Sequence, residues 1–258
     1  MLKIFFINII GGKNFFIYKI LSAFNVSIIN YLKIFSLINK NSHLIFLYSI
    51  IKSQLFISFN PVKSSEKLDF QKKYSFKYPD FFSNYFNIWN NFLFKLNRFK
   101  YLELGTFEGR SALFVSELKN CEKIICVDPY IEYAESEKYE FKMSDVFNSV
   151  DQKLKKIKDK NINLIRKKSD DFFIENKDFF DVIYIDGYHQ YDYVKRDFIN
   201  SLNCLKKDGI LICDDFLWFK YKKKNDNPII AILDCYNQNK KNLEVLFISN
   251  QIIFKKLN

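Results

Sequence analysis

The chain has 258 residues, of which 48% are hydrophobic and 27% are charged; this composition supports a hydrophobic core and excludes disorder over most of the length. Forty lysines and arginines against 29 acidic residues give a net charge of +11, which would suit a nucleic acid or an anionic membrane as partner. Only four of these cations are arginines, and Asn, Ile and Phe are also abundant, a mixture typical of AT-rich coding rather than of a selected binding surface.

The first sixty residues contain six lysines and no acidic residue, and their apolar side chains recur at intervals of three and four. This spacing predicts amphipathic helices. The longest uncharged stretch, residues 20–32, is shorter than the roughly 18–20 residues that a membrane span requires. Two interpretations stay open: peripheral contact of residues 1–60 with an anionic membrane, or a helical cap or dimer face. We assign residues 1–75 to a helical, basic, apolar N-terminal extension and residues 76–258 to the main domain.

Aromatic and leucine side chains between residues 81 and 96 form a stripe that predicts one further helix. From residue 99, short apolar runs alternate with helical segments, the pattern of a parallel sheet covered on both faces. The predicted strands are residues 100–104, 123–127, 162–166, 181–185 and 209–213. The predicted helices are residues 109–119, 170–176, 190–205 and 228–238. Residues 243–249 and 251–255 predict a closing antiparallel hairpin that turns at Asn250.

A glycine-containing loop follows the first predicted strand, in the sequence Glu103-Leu104-Gly105-Thr106-Phe107-Glu108-Gly109. Glycines permit a sharp turn and a close approach of the backbone to a ligand. The spacing is GxxxG rather than the GxGxxG that cradles a pyrophosphate. The preceding acid, Glu103, suits a cofactor with a cationic amino-acid tail better than NAD. Asp128 ends the second strand about twenty residues past the glycines, where a carboxylate accepts the hydroxyls of a ribose.

With these features, residues 99–258 resemble a class I S-adenosylmethionine-dependent methyltransferase. The resemblance implies that Asp128 holds the ribose of the cofactor and that Ser169 and Asp170 lie beside its adenine. The Lys167-Lys168 pair before Ser169 departs from the Gly-Asp that is commoner in such proteins. The residues that the resemblance places around the methionine part of the cofactor are Glu103, Gly105, Thr106, Phe107 and Gly109.

Three aspartates follow the fourth and fifth predicted strands: Asp186 after the fourth, and Asp214 with Asp215 after the fifth. Like charges at one sheet edge repel unless a cation or protons intervene, and oxygen ligands suit Mg²⁺. This arrangement resembles the metal-dependent O-methyltransferases, including the catechol and macrolide-sugar enzymes. The resemblance implies a magnesium site at Asp186, Asp214 and Asp215. The alternative is a metal-free enzyme, in which Asp186 lines the pocket and Asp215 caps the next segment.

His189 belongs to an Asp-Gly-x-His sequence that resembles a bacterial methyltransferase group associated with surface sugars and antibiotic clusters. An imidazole titrates near neutrality, so His189 is a candidate general base, with Asp186 as the second candidate catalytic residue. Two other interpretations stay open: His189 orients Asp186, or it faces solvent at the start of a helix. Aromatic residues around Trp218 fit stacking on a sugar, and they fit a core equally well.

Five cysteines form no CxxC pair, and several lie within apolar runs. We expect buried free thiols in a reducing compartment, and therefore a cytoplasmic protein, membrane-peripheral if residues 1–60 contact a bilayer. The partner that we expect is a small-molecule acceptor, a sugar in our interpretation, and a homo-oligomer is an open alternative. Nucleic acid is disfavoured because Asp186-Gly187-Tyr188-His189 stands where base-methylating enzymes carry an Asn-Pro-Pro-Tyr type motif.

The sequence thus predicts an α/β fold: a Rossmann-like, seven-stranded, mostly parallel sheet with a C-terminal antiparallel hairpin, preceded by a helical extension. The predicted function is transfer of a methyl group from S-adenosylmethionine to a hydroxyl of a sugar or another small molecule, with Mg²⁺ assistance. Two alternatives remain: a metal-free methyltransferase of another acceptor, and an inactive, membrane-associated binding protein.

Overall fold

The structure is a computed structural model that describes residues 15–132, 141–219 and 221–258. One sheet of seven strands lies between helices. The strands are β1 (Phe99–Leu104), β2 (Cys121–Val127), β3 (Asn161–Ile165), β4 (Phe180–Ile185), β5 (Leu205–Cys213), β6 (Leu243–Ile248) and β7 (Ile252–Lys256). The helices are α1 (Phe15–Ile34), α2 (His43–Phe59), α3 (Ser64–Tyr74), α4 (Phe86–Leu93), α5 (Arg110–Glu117), α6 (Met143–Lys155), α7 (Ser169–Glu175), α8 (Tyr191–Cys204) and α9 (Pro228–Asn239).

The strands are arranged in the order β3-β2-β1-β4-β5-β7-β6. β1 to β5 are parallel, and β7 inserts antiparallel between β5 and β6. The predicted mostly parallel sheet with a C-terminal antiparallel hairpin is therefore confirmed. β1 and β4 are neighbours although two strands lie between them in the chain, so the strand order reverses there. Ligands of open parallel sheets bind outside the carboxyl ends of the strands at such a switch point.

Apolar residues on both faces of each central strand form the two halves of the core. On one face Leu102 packs with Ile183 and Leu211, and on the other Tyr101 packs with Val182. Side chains alternate between the faces of a strand, so a strand buried on both faces needs a continuous apolar run. The near-continuous apolar runs in the sequence reflect this double burial.

Two segments differ from the sequence prediction. The helix predicted over residues 81–96 is only α4 (Phe86–Leu93), preceded by a short 3-10 turn, Ser83–Tyr85. The Asp80 carboxylate accepts hydrogen bonds from the backbone N–H groups of Phe82 and Ser83, which holds a turn where the helix was expected to begin. The sequence prediction also contained no helix between β2 and β3, where α6 lies.

The described part of the N-terminal extension packs against the sheet. Phe46 of α2 is fully buried and lies 5.5 Å, centroid to centroid, from the ring of Tyr236. The Ser53 hydroxyl of α2 accepts a hydrogen bond from the backbone N–H of Ile248 at 2.9 Å. α2 thus completes the edge strand β6, whose outer polar groups would otherwise be unpaired. The interpretation of a helical cap agrees with this packing, and residues 1–14 lie outside the described residues.

Two segments of the extension, Phe16–Leu37 and Lys40–Phe59, are long and apolar enough to cross a membrane by length and composition. The expectation that no segment here reaches that length was based on uncharged residues alone. The α1 segment continues through Lys19 and Lys33, and the α2 segment continues through Lys52, whereas an uncharged stretch ends at each of these lysines. Because the α2 segment is partly buried against the domain, length alone does not make it a span.

The contact of α2 with β6 predicts a difference between two buried serines. Ser53→Ala removes the only acceptor shown for the Ile248 N–H in the described structure, and we expect it to lower the free energy of unfolding by about 1–3 kcal/mol. Ser27 is equally buried, but its hydroxyl bonds only the Ala23 carbonyl of its own helix. Ser27→Ala should therefore change stability by less than about 0.5 kcal/mol. Urea denaturation of both variants measures this, and equal effects would contradict the proposed role of α2.

Candidate active site

The glycine-containing loop lies against the loop that follows β4. Gly105 has a φ of +86°, and a Cβ placed on it would lie 1.9 Å from the carbonyl oxygen of Asp186. Its N–H donates to the carbonyl of Val127 at 2.8 Å, and the Asp186 N–H donates to the carbonyl of Leu104 at 2.8 Å. Only glycine fits this position, because both the positive φ and the close contact exclude a side chain. Gly109 starts α5 at a φ of +77°, with Val150 2.4 Å from the position of its absent Cβ.

Asp128 holds the glycine-containing loop from the end of β2. Its carboxylate accepts hydrogen bonds from the backbone N–H groups of Thr106 and Phe107, both at 2.9 Å, and of Tyr130 at 2.8 Å. Burial raises the pKa of Asp128, and the three backbone hydrogen bonds oppose that shift. Asp128, which is predicted to bind the ribose, thus lies beside the residues that are predicted to bind the methionine part of the cofactor. It also gives Asp128 a second role, since its carboxylate fixes the conformation of that loop.

Glu103 is fully buried at the end of β1. Its Oε2 accepts hydrogen bonds from the hydroxyls of Tyr101 at 2.8 Å and Ser111 at 2.7 Å. Burial raises the pKa of Glu103 to about 7, against the lowering effect of these hydrogen bonds. Glu103 Oε1 and Thr106 Oγ1 are buried and make no short hydrogen bond in the described part of the chain, although Thr106 and Cys126 lie close enough to Glu103 to lower its pKa. Buried polar atoms that lack protein partners fit a site that receives a polar ligand.

Aromatic rings from two other segments of the chain lie around Phe107 in the glycine-containing loop. The ring centroids of Tyr78, Phe81 and Phe141 lie 5.8, 6.0 and 5.4 Å from that of Phe107. Glu108 fixes the first of these segments, because its buried carboxylate accepts the backbone N–H groups of Lys77 and Tyr78. Residues that precede the sheet in the chain therefore form one wall of the predicted cofactor site.

The two residues predicted beside the adenine lie at the start of α7. Ser169 is the first residue of α7, and it hydrogen-bonds the buried side chain of Asp197. Burial raises the pKa of Asp197 to about 7, and the Ser169 hydrogen bond opposes this rise. Asp170 forms a half-exposed ion pair with Arg196 at 3.1 Å. No residue of the described structure contradicts the adenine assignment, which stays a prediction.

The three aspartates after β4 and β5 lie at one edge of the sheet, because these strands are parallel neighbours. The hydroxyl of Tyr184 lies between two of them: it hydrogen-bonds Asp186 at 2.9 Å and contacts Asp214. Asp214 also accepts a hydrogen bond from the side-chain amide of Gln251 at 2.8 Å. Burial raises the pKa of Asp214 well above its ordinary value, and the negative charges of Asp186 and Asp215 raise it further.

His189 pairs with Asp215 on the other side of this cluster. Its Nε2 lies 2.8 Å from Asp215 Oδ2 and 3.9 Å from Asp186 Oδ1. Burial lowers the pKa of His189, but the adjacent carboxylates of Asp186 and Asp215 raise it to about 10. The ring of Trp218 lies 5.0 Å from the imidazole, centroid to centroid. One ligand atom each from Asp186, His189 and Asp215 lies within 4.8 Å of the others, an arrangement that could hold a metal ion.

This group differs from the ligand set expected from the sequence, Asp186, Asp214 and Asp215. Asp215 has a φ of +54°, so the chain turns sharply between the two consecutive aspartates. The Asp214 carboxylate bonds Tyr184 and Gln251, whereas that of Asp215 bonds His189. A positive φ in a non-glycine residue is costly and concentrates at functional sites. Phe107 in the glycine-containing loop also has one, at +46°.

Comparisons with known proteins agree with this geometry. Residues 102–216 match a protein-family model described as a methyltransferase domain. An uncharacterised protein, R132, of Acanthamoeba polyphaga mimivirus is 28% identical over 133 residues, which cover 50% of this chain and 56% of that protein. The chain therefore spans only about half the length of this curated relative.

Solved structures share the fold. An O-methyltransferase of Bacillus cereus in complex with S-adenosylhomocysteine has a TM-score of 0.54 at 14% identity, covering 80% of this chain and 97% of that one. The S-adenosylhomocysteine-bound methyltransferase PaMTH1 of Podospora anserina has a TM-score of 0.54 at 14% identity, covering 85% and 96%. The O-methyltransferase TomG of Streptomyces achromogenes, involved in tomaymycin synthesis and bound to S-adenosylmethionine, has a TM-score of 0.52 at 10% identity, covering 80% and 96%.

At these identities the structural likeness shows the fold, and the family model identifies the domain. The resemblance recognised in the sequence is therefore confirmed at two levels: residues 102–216 match a methyltransferase domain, and the chain shares the fold of solved O-methyltransferases bound to S-adenosylmethionine or S-adenosylhomocysteine. The predicted Rossmann-like architecture is confirmed with it. The roles of the individual site residues remain predictions, and the structure gives the positions of these residues.

Several side chains of the site escaped the sequence analysis. Gln251 and Trp89 are fully buried and hydrogen-bonded to each other at 2.9 Å, and Gln251 reaches Asp214 from the turn of the terminal hairpin. The polar Gln251 between two apolar strands could have indicated a buried role, but it was interpreted as part of the expected turn. Glu108 was visible inside the GxxxG spacing, although its partner backbone, residues 77–78, could not be read from that motif. Asp197 lay on the apolar stripe of α8, where an acid is unusual.

Glu103 should make the cofactor-free protein less stable as pH rises. Its pKa is about 7 in the folded state against an ordinary value of 4.5, so the folded chain retains a proton that the unfolded chain loses between these values. Stability falls across that window and stays low above it. Glu103→Gln should flatten this fall, gaining up to about 3 kcal/mol relative to the unmodified chain between about pH 4 and about pH 8. Urea denaturation across the window measures it; parallel curves would contradict the assignment.

The contact between Gly105 and Asp186 predicts a second effect on the site. Gly105→Ala should lower the free energy of unfolding by about 3 kcal/mol or more, because both the φ and the contact oppose a Cβ. Affinity for S-adenosylmethionine should fall at least about tenfold, since the loop moves. Gly187→Ala is the matched control: its nearest atom would lie at 3.3 Å, and its φ is not in the left-handed region. Calorimetric titration and denaturation would contradict the argument if the two variants behaved alike.

Proposed function

We propose that this methyltransferase domain transfers the methyl group of S-adenosylmethionine to an oxygen atom of a small-molecule acceptor. One observation carries the proposal: the glycine-containing loop touches the backbone of Asp186, the residue that begins the acidic cluster. The predicted cofactor site and the acidic cluster are therefore adjacent at the switch point of the sheet. Two solved proteins of this fold are named as O-methyltransferases, which supports oxygen as the acceptor atom.

The residues of this chain fit the cofactor by their chemistry. The sulfonium and ammonium of S-adenosylmethionine are cationic, and the wall beside the loop contains buried carboxylates, Glu103 and Asp128. Glu103 Oε1 and Thr106 Oγ1 are buried polar atoms without a short hydrogen bond in the described protein, and they can serve as acceptors for the cofactor. The aromatic residues around Phe107 exclude water from the same wall. A cofactor with a positive charge and several hydroxyls matches these groups better than a pyrophosphate does.

Methyl transfer is an in-line displacement that needs alignment more than covalent catalysis. The acceptor oxygen forms a bond to the methyl carbon as the carbon–sulfur bond breaks, and the acceptor hydroxyl loses its proton. S-adenosylhomocysteine leaves with the electron pair of the broken bond. The acidic cluster supplies the negative charge that accepts the proton. Asp215 fixes the imidazole of His189 through their 2.8 Å contact, and we expect the acceptor oxygen to bind beside His189 and Asp186.

We extend the proposal to a divalent cation at Asp186, His189 and Asp215. Two carboxylates and one imidazole whose ligand atoms lie within 4.8 Å of one another fit such an ion, and carboxylates suit Mg²⁺ or Mn²⁺. When bound, the cation lowers the pKa of the acceptor hydroxyl. Asp214, which we expected to be a ligand, instead orients this group through Tyr184 and the turn beside Asp215. The metal-free alternative uses the His189–Asp215 pair with a carboxylate of the cluster as the proton acceptor, because the neighbouring carboxylates raise the pKa of His189 to about 10 and keep it protonated.

The acceptor that we favour is a sugar or another polyhydroxylated molecule. Trp218 lies 5.0 Å from His189 and 5.1 Å from Tyr221, centroid to centroid. Aromatic rings beside a cluster of hydrogen-bond acceptors suit a ligand that has both an apolar face and several hydroxyls. Tyr85 adds a further ring close to the aspartates: burial and the charges of Asp214, Asp215 and Asp186 all raise the pKa of its hydroxyl.

Methyl transfer to sugar acceptors, measured with labelled S-adenosylmethionine, tests the function. Asp215→Asn and His189→Gln should each reduce kcat by about 100-fold or more, because each removes a member of the same group. Asp151→Asn, which alters an exposed pair with Lys155 on α6, should leave kcat unchanged. Chelation followed by Mg²⁺ or Mn²⁺ addition separates the two mechanisms: loss and recovery support the cation, and undiminished turnover supports the metal-free pair. Absence of cofactor binding would overturn both.

A further inference from the structure

One face of α1 presents large apolar side chains to solvent. Ile17, Leu21, Phe24, Ile28 and Leu32 are all exposed, at 40–66% of their surface. Their spacing of four, three, four and four residues places them in one stripe along the helix. The stripe continues at Phe35, which is 52% exposed. A contiguous apolar surface of this kind on a folded domain indicates a partner.

α2 extends the same surface and buries an unusual face. Leu44 is 82% exposed and Tyr48 is 67% exposed, whereas three of the five buried residues of α2 are Ser49, Ser53 and Gln54. On α1, Ala23 and Ser27 are buried beneath the apolar stripe. In water the hydrophobic effect favours the opposite arrangement, with large apolar residues inside. Large apolar residues outside, with small or polar residues inside, leave an outer surface that suits the apolar boundary of a bilayer.

The charge of this segment adds a second, independent observation. Residues 1–60 contain six lysines and no acidic residue, and the first acid in the chain is Glu66. Lys33 and Lys40 are exposed at the end where the stripe on α1 turns toward α2. Apolar residues flanked by lysines, without acids, are the composition of helices that lie on anionic lipid.

We propose that the hairpin of α1 and α2 docks on an anionic lipid bilayer, with both helices lying in the plane of the interface. The inner face of α2 is held to β6 by the hydrogen bond of Ser53 to Ile248 and by the contact of Phe56 with Phe247. This attachment leaves the outer face of the hairpin available for lipid and keeps α2 on the domain. The hairpin then covers its apolar stripe with acyl chains, and its lysines face the lipid phosphates.

The full-length chain tests the proposal in co-sedimentation with vesicles. Vesicles of phosphatidylcholine alone are compared with vesicles in which about a quarter of the lipid is phosphatidylglycerol. The chain should bind the anionic vesicles more tightly, and the difference should shrink as salt is added. Lys33→Gln and Lys40→Gln should each weaken partitioning into anionic vesicles by about fivefold, without that effect on the neutral vesicles.

A double variant separates the stripe from general stickiness. Ile28→Glu with Leu32→Glu should reduce partitioning at least about tenfold, because two exposed apolar side chains are lost from the lipid contact. Ile174→Glu is the matched control: Ile174 is 76% exposed on α7, at a distance in the chain from the hairpin, and this change should have no effect. Thermal melting confirms that each variant is folded, since every changed position is exposed.

Two results would overturn the proposal. One is equal partitioning of the unmodified chain and the double variant into anionic vesicles. The other is a dimer, measured by light scattering, that the double variant converts to a monomer while vesicle binding is absent; the hairpin face would then be an interface between copies of the chain. Neither readout uses methyl transfer, so failure here is independent of the proposed function.

Discussion

The close contact between the backbones of Gly105 and Asp186 determines the arrangement of the site. It joins the loop after β1 to the loop after β4, where the order of the parallel strands reverses. Because no Cβ fits between them, the two loops pack backbone against backbone. Asp128 fixes the first loop through three backbone hydrogen bonds, and the Asp186 N–H ties the second to β1. The same backbone contact therefore sets the position of the predicted cofactor site and the position of the acidic cluster.

The acidic cluster carries an electrostatic cost, and the structure offsets it with specific partners. Three carboxylates that lie this close repel one another, and burial adds a desolvation penalty. Asp214 contacts the Tyr184 hydroxyl and accepts a hydrogen bond from Gln251, and Asp215 pairs with His189. Gln251 is in turn oriented by the indole N–H of Trp89. The terminal hairpin and the helix that precedes the sheet thus support the cluster from outside the segment that matches the methyltransferase family, residues 102–216.

The sequence predicted which residues lie together at the ends of the strands, but it did not predict the directions of their side chains. Asp186, Asp214 and Asp215 could be placed at one edge because parallel neighbouring strands end together. The candidate metal group contains His189 where the sequence predicted Asp214. This difference depends on the left-handed φ of Asp215, which no residue pattern indicates. α6 was missed although Met143, Val146, Val150 and Leu154 recur at three and four, because the polar residues between them obscured the stripe. The helix after Pro79 was overextended because the Asp80 turn is invisible in a hydrophobic pattern.

The charge of the chain differs between the N-terminal extension and the predicted active site. Residues 1–60 contain lysines without acids, while the predicted site gathers carboxylates that suit a cationic cofactor and a metal ion. One contact connects the two regions: Phe46 of α2 lies 6.4 Å, centroid to centroid, from Phe216, the residue after Asp215. Phe216 is fully buried, and its N–H donates to the carbonyl of Asn250 in the terminal hairpin. Phe46 of α2 and Phe216 belong to the same core cluster, so the extension packs against the segment that carries Asp215.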